Sequence, residues 1–244
     1  MPKVRLQKLN INKSTRGFRI TGIAAAALFP VFLVLLCEAN QLGSTGKMFA
    51  NLFSRPGVLV FDILFVGLIY SAVFLFTKKG WIAALPTGAF FFILSCVEFF
   101  KYDVSKSHFL PQDLALAGEL GEISGMARLR MTPLLFINIT LLALYLLLLV
   151  FLETGVRMKL YKRLTLGALC LVLACMAVVP PVSGAVFAFF GVDSRESVNV
   201  FVSKSKFDND NMIAFLVSEV SDMISGIPFA PKGYSQDAVL DCVT

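Results

Sequence analysis

The order of apolar and polar positions divides the chain into long apolar segments separated by shorter polar stretches. Five segments are long enough to cross a membrane, because a helix needs about 20 apolar residues to span about 30 Å of hydrocarbon. They lie at about Ile20–Cys37, Val58–Thr77, Trp81–Phe100, Thr132–Phe151 and Leu164–Phe190. The pattern predicts an all-α membrane protein whose residues 1–190 form a domain of five transmembrane helices.

Two of these segments carry additional signals. The first follows a basic stretch, as a cleaved signal peptide does, but its full spanning length and the four later segments favour a retained signal anchor. The fifth contains Pro180-Pro181. Because proline lacks a backbone N–H and disturbs the preceding helical turn, this pair predicts a kink or an irregular turn.

Basic residues mark one side of the predicted membrane domain. The N-terminal stretch, the turn Lys78-Lys79-Gly80 and the loop Glu153–Arg163 together carry more Lys and Arg than the loops on the other side. Such residues concentrate in cytoplasmic loops. The sequence therefore predicts a multi-pass protein of the cell (plasma) membrane, with a cytoplasmic N-terminus and an extracytoplasmic C-terminus.

The larger predicted outer loop, Lys101–Arg130, contains a helical pattern. Its apolar residues recur with helical spacing at Phe109, Leu116, Leu120, Ile123 and Ala127. Pro111 suits the first turn of a helix, and Asp113 beside it favours the positive N-terminal end. We expect a short amphipathic helix that lies flat on the outer membrane surface, either as a connector or as a platform for a lipid head group or another domain.

The tail, residues 191–244, changes to an acidic and polar composition. Within it, Met212–Ile224 has amphipathic helical spacing, with Glu219 as the one polar interruption of its apolar face. Asn209 or Asp210 is a candidate N-cap for this helix. The tail is predicted to be a helical extracytoplasmic linker that would lead to a further domain.

Five ionisable residues in or beside the spans are candidate binding residues. Asp62 and Glu98 lie within the second and third segments, where a carboxylate is costly and often functional. One interpretation places both at the interface, where Asp62 pairs with a nearby basic residue and Glu98 pairs with Lys101. The other places them with Lys101, His108 and Asp113 in an outward-facing polar pocket that binds a lipid head group.

Composition limits the function classes. The chain has 57% apolar and 16% charged residues and a net charge of +6. Its basic residues stand in short blocks beside apolar runs, which indicates membrane topology rather than nucleic-acid binding. A single histidine and scattered cysteines cannot form a zinc motif. We also find no sequence motif of a serine hydrolase, a P-loop enzyme or a zinc protease.

Three stretches together carry a family resemblance. They are HFLPQDLALAGELGEI in the outer loop, then NVFVSKSKFDNDNMIAFLVSEV and GIPFAPKGYS in the tail. They resemble the outer loop and linker of the lipoteichoic-acid-synthase-like family, which belongs to the alkaline phosphatase and sulfatase superfamily. The resemblance covers only that family's membrane half. His108-Phe109 stands where the family often has Arg-Gly, and residues 212–215 replace its common Asn-Gly-Phe.

The resemblance implies a membrane-anchoring and substrate-positioning module of a cell-envelope phosphoglycerol transferase. In that family a sulfatase-like catalytic domain follows the linker and carries a threonine nucleophile on a divalent metal, such as Mn or Mg. No position of this chain matches that nucleophile or metal site, so the catalytic domain is absent from these residues and we expect no catalysis by the chain alone.

The implied partners are membrane lipids, including anionic phosphatidylglycerol, and an extracytoplasmic catalytic domain. The alternative is a small stand-alone membrane binding or transport protein, in which the outward-facing polar pocket is itself the function.

Overall fold

The computed structural model describes residues 16–42, 46, 49, 54–114, 132–155, 158–194 and 200–225. These residues form an all-helical structure. Its α-helices are α1 (Arg16–Leu42), α2 (Pro56–Thr77), α3 (Gly80–Ser105), α4 (Pro133–Leu152), α5 (Leu160–Met176), α6 (Val182–Phe190) and α7 (Val200–Ile224), and a short 3-10 helix (Pro111–Leu114) follows α3.

Four helices of the described chain are long and apolar enough to cross a membrane: α1, over Ile20–Gln41, and the whole of α2, α3 and α4. The fifth predicted segment is divided into α5, of 17 residues, and α6, of 9 residues. The interruption spans residues 177–181 and includes Pro180-Pro181, as the sequence predicted. Because each half is shorter than a span, the fifth crossing stays a prediction.

Local sequence explains where several helices begin and end. Pro56 and Pro133 occupy the first helical positions of α2 and α4, where a missing N–H costs nothing. Thr132 also accepts a hydrogen bond from the backbone N–H of Leu135 at 3.3 Å, which makes it the N-cap of α4. Lys78 ends α2 with a left-handed backbone conformation (φ 69°), so that α3 starts only two residues later.

Helix α1 lies at the centre of the bundle and packs against α2, α3 and α4, while α2 also packs against α5. The α1 side chains of Phe29, Leu33 and Val34 are fully buried. Helix α4, in contrast, exposes apolar residues along most of its length, including Phe136 and Leu147. An exposed apolar surface of this extent is typical of helices that face lipid.

The two ends of the bundle differ in their charged residues. One end, which we call the basic end, comprises residues 16–25, 77–81, 153–155 and 158–163. There the backbone N–H of Gly80 donates to the carbonyl of Thr154 at 2.9 Å, and Gly22 lies against Thr154. The other end, which we call the carboxylate end, comprises residues 38–42, 56–62, 95–114, 133–138, 183–194 and 200–222.

Helix α7 returns to the carboxylate end and packs there against α1, α2, α6 and the 3-10 helix. It contains the predicted stretch Met212–Ile224 but starts twelve residues earlier, at Val200. Asn211 interrupts it with a non-helical conformation (φ 57°, ψ 167°), so α7 consists of two helical halves. The predicted surface helix beyond Leu114 and the linker beyond Ser225 lie outside the described residues.

Candidate functional site at the carboxylate end

The loop after α3 folds back onto α3 through two charged side chains. The Glu98 carboxylate bonds with His108 Nδ1 at 2.7 Å and accepts the backbone N–H of Phe109 at 2.5 Å. Lys101 Nζ donates to the His108 carbonyl at 2.6 Å and to Asp113 Oδ2 at 2.5 Å. Four of the five predicted site residues therefore form one network, in which Glu98 pairs with His108 instead of Lys101.

The imidazole of His108 connects this loop to α7. It stacks on the ring of Phe207 with centroids 3.8 Å apart, and Tyr102 stacks on it at 5.0 Å. Phe215, in the second half of α7, meets the His108 ring edge-on at 6.0 Å. His108 is 6% exposed, and its Nε2 has no hydrogen-bond partner. His108 therefore packs between α3 and α7 and connects both helices to the loop after α3.

Asp62, the fifth predicted residue, lies in a different contact with α7. It is fully buried, and its Oδ2 accepts a hydrogen bond from Asn211 Nδ2 at 3.1 Å. Its other oxygen, Oδ1, is buried without a hydrogen-bond partner. Glu38 of α1 accepts the backbone N–H of Met212 at 3.0 Å. Two carboxylates from different helices therefore contact the start of the second half of α7: Glu38 caps its backbone, and Asp62 holds the side chain of Asn211.

The break at Asn211 makes this capping possible. Asparagine tolerates a positive φ better than most residues, because its short polar side chain forms local hydrogen bonds. The break frees backbone N–H groups at the start of a new helix, and such groups attract negative charge. The sequence predicted Asn209 or Asp210 as the cap, whereas the backbone N–H of Met212 at this helix start bonds to Glu38 of α1.

Asp210 instead bonds across to the segment before α7. Its Oδ1 accepts the backbone N–H of Asp193 at 2.7 Å, while its Oδ2 is buried without a hydrogen-bond partner. Burial raises the pKa of the Asp210 carboxyl from 3.8 to about 7, against the opposing effects of the Asp193 hydrogen bond, Lys206 and Arg55. Asp210 is therefore a titratable group near neutral pH within the contact between α7 and the bundle.

A buried ion pair joins the two halves of α7. Lys206, in the first half, is fully buried and donates to Glu219 at 2.8 Å and to Asp222 at 3.1 Å, both in the second half. A buried lysine is tolerated only when its charge is paired, because an unpaired buried charge is strongly destabilising. Sequence reasoning missed Lys206, although Glu219, as the polar interruption of an apolar face, was a signal that a buried cation would meet it.

Neutral polar residues link the helices beneath this contact. Asn138 of α4 donates to Asn40 Oδ1 of α1 at 3.2 Å, and Gln41 donates to the Ser95 carbonyl of α3 at 2.8 Å. Ser95 in turn donates to the Cys37 carbonyl at 3.2 Å. Because each side chain finds a partner on another helix, these bonds fix the helix ends that receive α7.

The chemistry available at this end is the docking of the chain's own helix. The carboxylates of Glu98, Glu38 and Asp62 all accept hydrogen bonds from other segments of the chain. In the described residues, no group of three or more His, Cys, Asp or Glu side chains is placed to hold a metal ion. A cavity of about 750 Å³ lies between α1 and α2 near Tyr70 and Thr154, and none of the five predicted residues lines it.

Comparison with known proteins gives no relative from which a role could be transferred. No protein-family model, curated protein or solved structure matches the chain. The case for function therefore depends on the geometry at the two ends of the bundle.

Proposed function

We propose that the chain is a membrane-anchoring and positioning module that holds an extracytoplasmic domain in a fixed place relative to the bilayer. The supporting observation is the docking of α7. A simple anchor needs only a span and a flexible connection, whose polar groups stay in water. Here α7 instead buries Lys206, Asp210 and Met212, so the direction in which the chain leaves α7 is set by its packing against α1, α2 and the 3-10 helix.

The proposal includes an orientation. Basic residues in the turn at Lys78-Lys79 and around Lys159 support a cytoplasmic basic end. The carboxylate end, with α7, then faces the outside of the plasma membrane. In this arrangement α5 and α6 together make the fifth crossing, with the turn at residues 177–181 inside it.

Within this proposal, the residues that contact lipid are Lys101 and Asp113, the two partly exposed residues of the loop network. The side chains of Lys101 and Asp113 are 24% and 30% exposed, whereas Glu98 and His108 are buried. A glycerophosphate head group, as of phosphatidylglycerol, would approach Lys101. The buried pair would hold the loop in position beneath it. By resemblance, the domain that the module positions is a sulfatase-like phosphotransferase with its own divalent metal.

The experiment combines the gene locus with a functional assay in the source cell. We expect the reading frame after Thr244, or an adjacent one, to encode a metal-binding domain of the alkaline phosphatase type. Deleting this chain should reduce glycerophosphate polymer in the envelope. The wild-type chain should restore it, the Glu38→Gln and Asp62→Asn double variant should not, and the exposed control Asp208→Asn should. No such domain at the locus together with unchanged polymer would refute the proposal.

The alternative, a stand-alone binding or transport protein, would need an open polar pocket at the carboxylate end. The hydrogen bonds to Glu98 and Asp62 come from the chain itself, which favours the positioning role.

A further inference from the structure

Arg163 is a buried guanidinium with unpartnered donors at the basic end. The residue is 3% exposed, and its Nε and Nη1 have no hydrogen-bond partner. It shares the buried face of α5 with Gly167 and Ala174. Gly167, one turn further along, packs so closely on α2 that a Cβ there would lie 3.1 Å from the Phe76 ring. The side chain of Arg163 therefore extends from the face of α5 that packs against α2.

An unpaired buried charge is costly, because the desolvation of the ion is not compensated by a partner. Glu153 is the only acidic residue within the described part of the basic end, and the Nε and Nη1 of Arg163 donate no hydrogen bond to it or to any other described group. The guanidinium accordingly needs an anion that the described chain does not provide.

The N-terminus of α5 adds a second attraction for an anion. Helix α5 has 17 residues, no acidic residue in its first turn and no side-chain cap at Lys159. Its first backbone N–H groups therefore face outward at the positive end of the helix dipole. Lys159 and Lys162 are exposed beside them. These like charges repel one another, so an anion bound among them and Arg163 relieves the repulsion.

We propose that Arg163 and the first turn of α5 bind the phosphate of an anionic phospholipid from the leaflet at the basic end. The planar guanidinium presents two donors to two phosphate oxygens, and the lysines contribute charge. Leu160 and Leu164 are exposed beside the site and provide an apolar surface for the acyl chains. This site lies at the opposite end from the Lys101 loop and does not depend on the positioning role.

The test uses the full chain in nanodiscs of phosphatidylcholine alone or with added phosphatidylglycerol, and the readout is the melting temperature, Tm. Phosphatidylglycerol should raise the Tm of the wild type by several degrees, since a ligand that binds only the folded state stabilises it. Arg163→Gln should lose most of this rise, and the matched neighbour Lys162→Gln should keep most of it. Arg163→Lys keeps the charge but lacks the planar pair of donors, so its rise in Tm should lie between those of the other two variants.

A third arm, phosphatidylcholine nanodiscs with inorganic phosphate, distinguishes the lipid from the free ion. Stabilisation by inorganic phosphate equal to that by phosphatidylglycerol would overturn the lipid assignment. An equal loss in Arg163→Gln and Lys162→Gln would overturn the site, because it would indicate diffuse surface charge. If Arg163→Gln does not fold, phosphorus analysis of purified Arg163→Lys and Lys162→Gln decides: less retained phospholipid in the former supports the site, and equal amounts refute it.

Discussion

Glu98 at the carboxylate end and Arg163 at the basic end are almost equally buried, at 1% and 3% exposure. Their surroundings differ. Both oxygen atoms of Glu98 are bonded to the loop at residues 108–109, whereas two nitrogens of Arg163 have no partner. The difference arises because the chain returns to the carboxylate end with the loop after α3 and with α7. No described segment returns in this way to Arg163.

This contrast separates two ways of keeping a charge at the edge of a membrane bundle. At the carboxylate end the partners of Glu98, Asp62 and Glu38 come from other segments of the same chain, so the charges serve folding and docking. At the basic end the described residues leave Nε and Nη1 of Arg163 without a partner, and the partner that we propose is a lipid phosphate. A buried charge is therefore informative only after its hydrogen-bond partners are known.

The largest expected effect concerns which end faces the cytoplasm. In a variant without native cysteines, Lys106→Cys at the carboxylate end should react with a membrane-impermeant maleimide in intact cells. Lys79→Cys at the basic end should react only after permeabilisation, because basic turns stay in the cytoplasm. Both positions are exposed turn residues, so they are matched for reactivity. Labelling of Lys79→Cys alone in intact cells would reverse the orientation.

Removing the buried cation of α7 should have the next largest effect. Lys206→Met leaves Glu219 buried without this cation, and breaking such a pair costs about 3–5 kcal/mol. Proteolysis of α7 in nanodiscs should become much faster than in the wild type. The exposed neighbour Lys204→Met is the control and should behave as the wild type. Equal cleavage of the two variants would show that the ion pair does not hold α7 together.

Glu98→Gln tests the loop network with a smaller change. The substitution keeps the shape but removes the charge that His108 and the Phe109 N–H contact, so we expect a loss of about 1.5–3 kcal/mol in unfolding free energy. Asp103→Asn is the control on the same helix, because its ion pair with Lys106 is a surface contact with little effect on stability. A loss no greater than that of the control would contradict the network's role.

The last expected effect is a pH dependence, which appears only within one pH window and removes no group. The folded-state pKa of Asp210, about 7, lies above the unfolded value near 3.8. The folded state therefore holds the proton more tightly, and its contribution to stability is full below about pH 4 and is lost as the pH rises to about 7. Melting curves of wild type and Asp210→Asn should diverge as pH rises through this window. Parallel curves would show that Asp210 titrates normally.

Periodicity and segment length predicted the helices that depend on neighbouring residues in the sequence. The spans α1 to α4 follow from apolar runs of spanning length, and the interruption after α5 follows from Pro180-Pro181. Composition also identified His108 and Asp113 as unusual, and the structure joins both to α3. These features depend on residues within a few turns of one another, so a sequence pattern contains the information.

The missed features depend on contacts between distant residues. Glu38 directly follows the first apolar segment, and nothing near it in the sequence indicates a role, because its partner, the Met212 N–H, lies 174 positions later. Arg163 was assigned to the loop Glu153–Arg163 by its charge, yet α5 begins at Leu160 and includes it. No local pattern distinguishes a basic residue in a loop from one on the buried face of a helix's first turn.

The most direct test of the central claim is amide hydrogen exchange in the part of α7 that contains Met212 and Ala214, with the full chain in nanodiscs. The account predicts slow exchange there in the wild type and in Asp208→Asn. It predicts exchange at least about tenfold faster in the Glu38→Gln and Asp62→Asn double variant, since tenfold corresponds to about 1.4 kcal/mol of opening free energy. Wild-type exchange as fast as in an unstructured peptide, or no change in the double variant, would contradict the docking of α7 by carboxylates of the bundle.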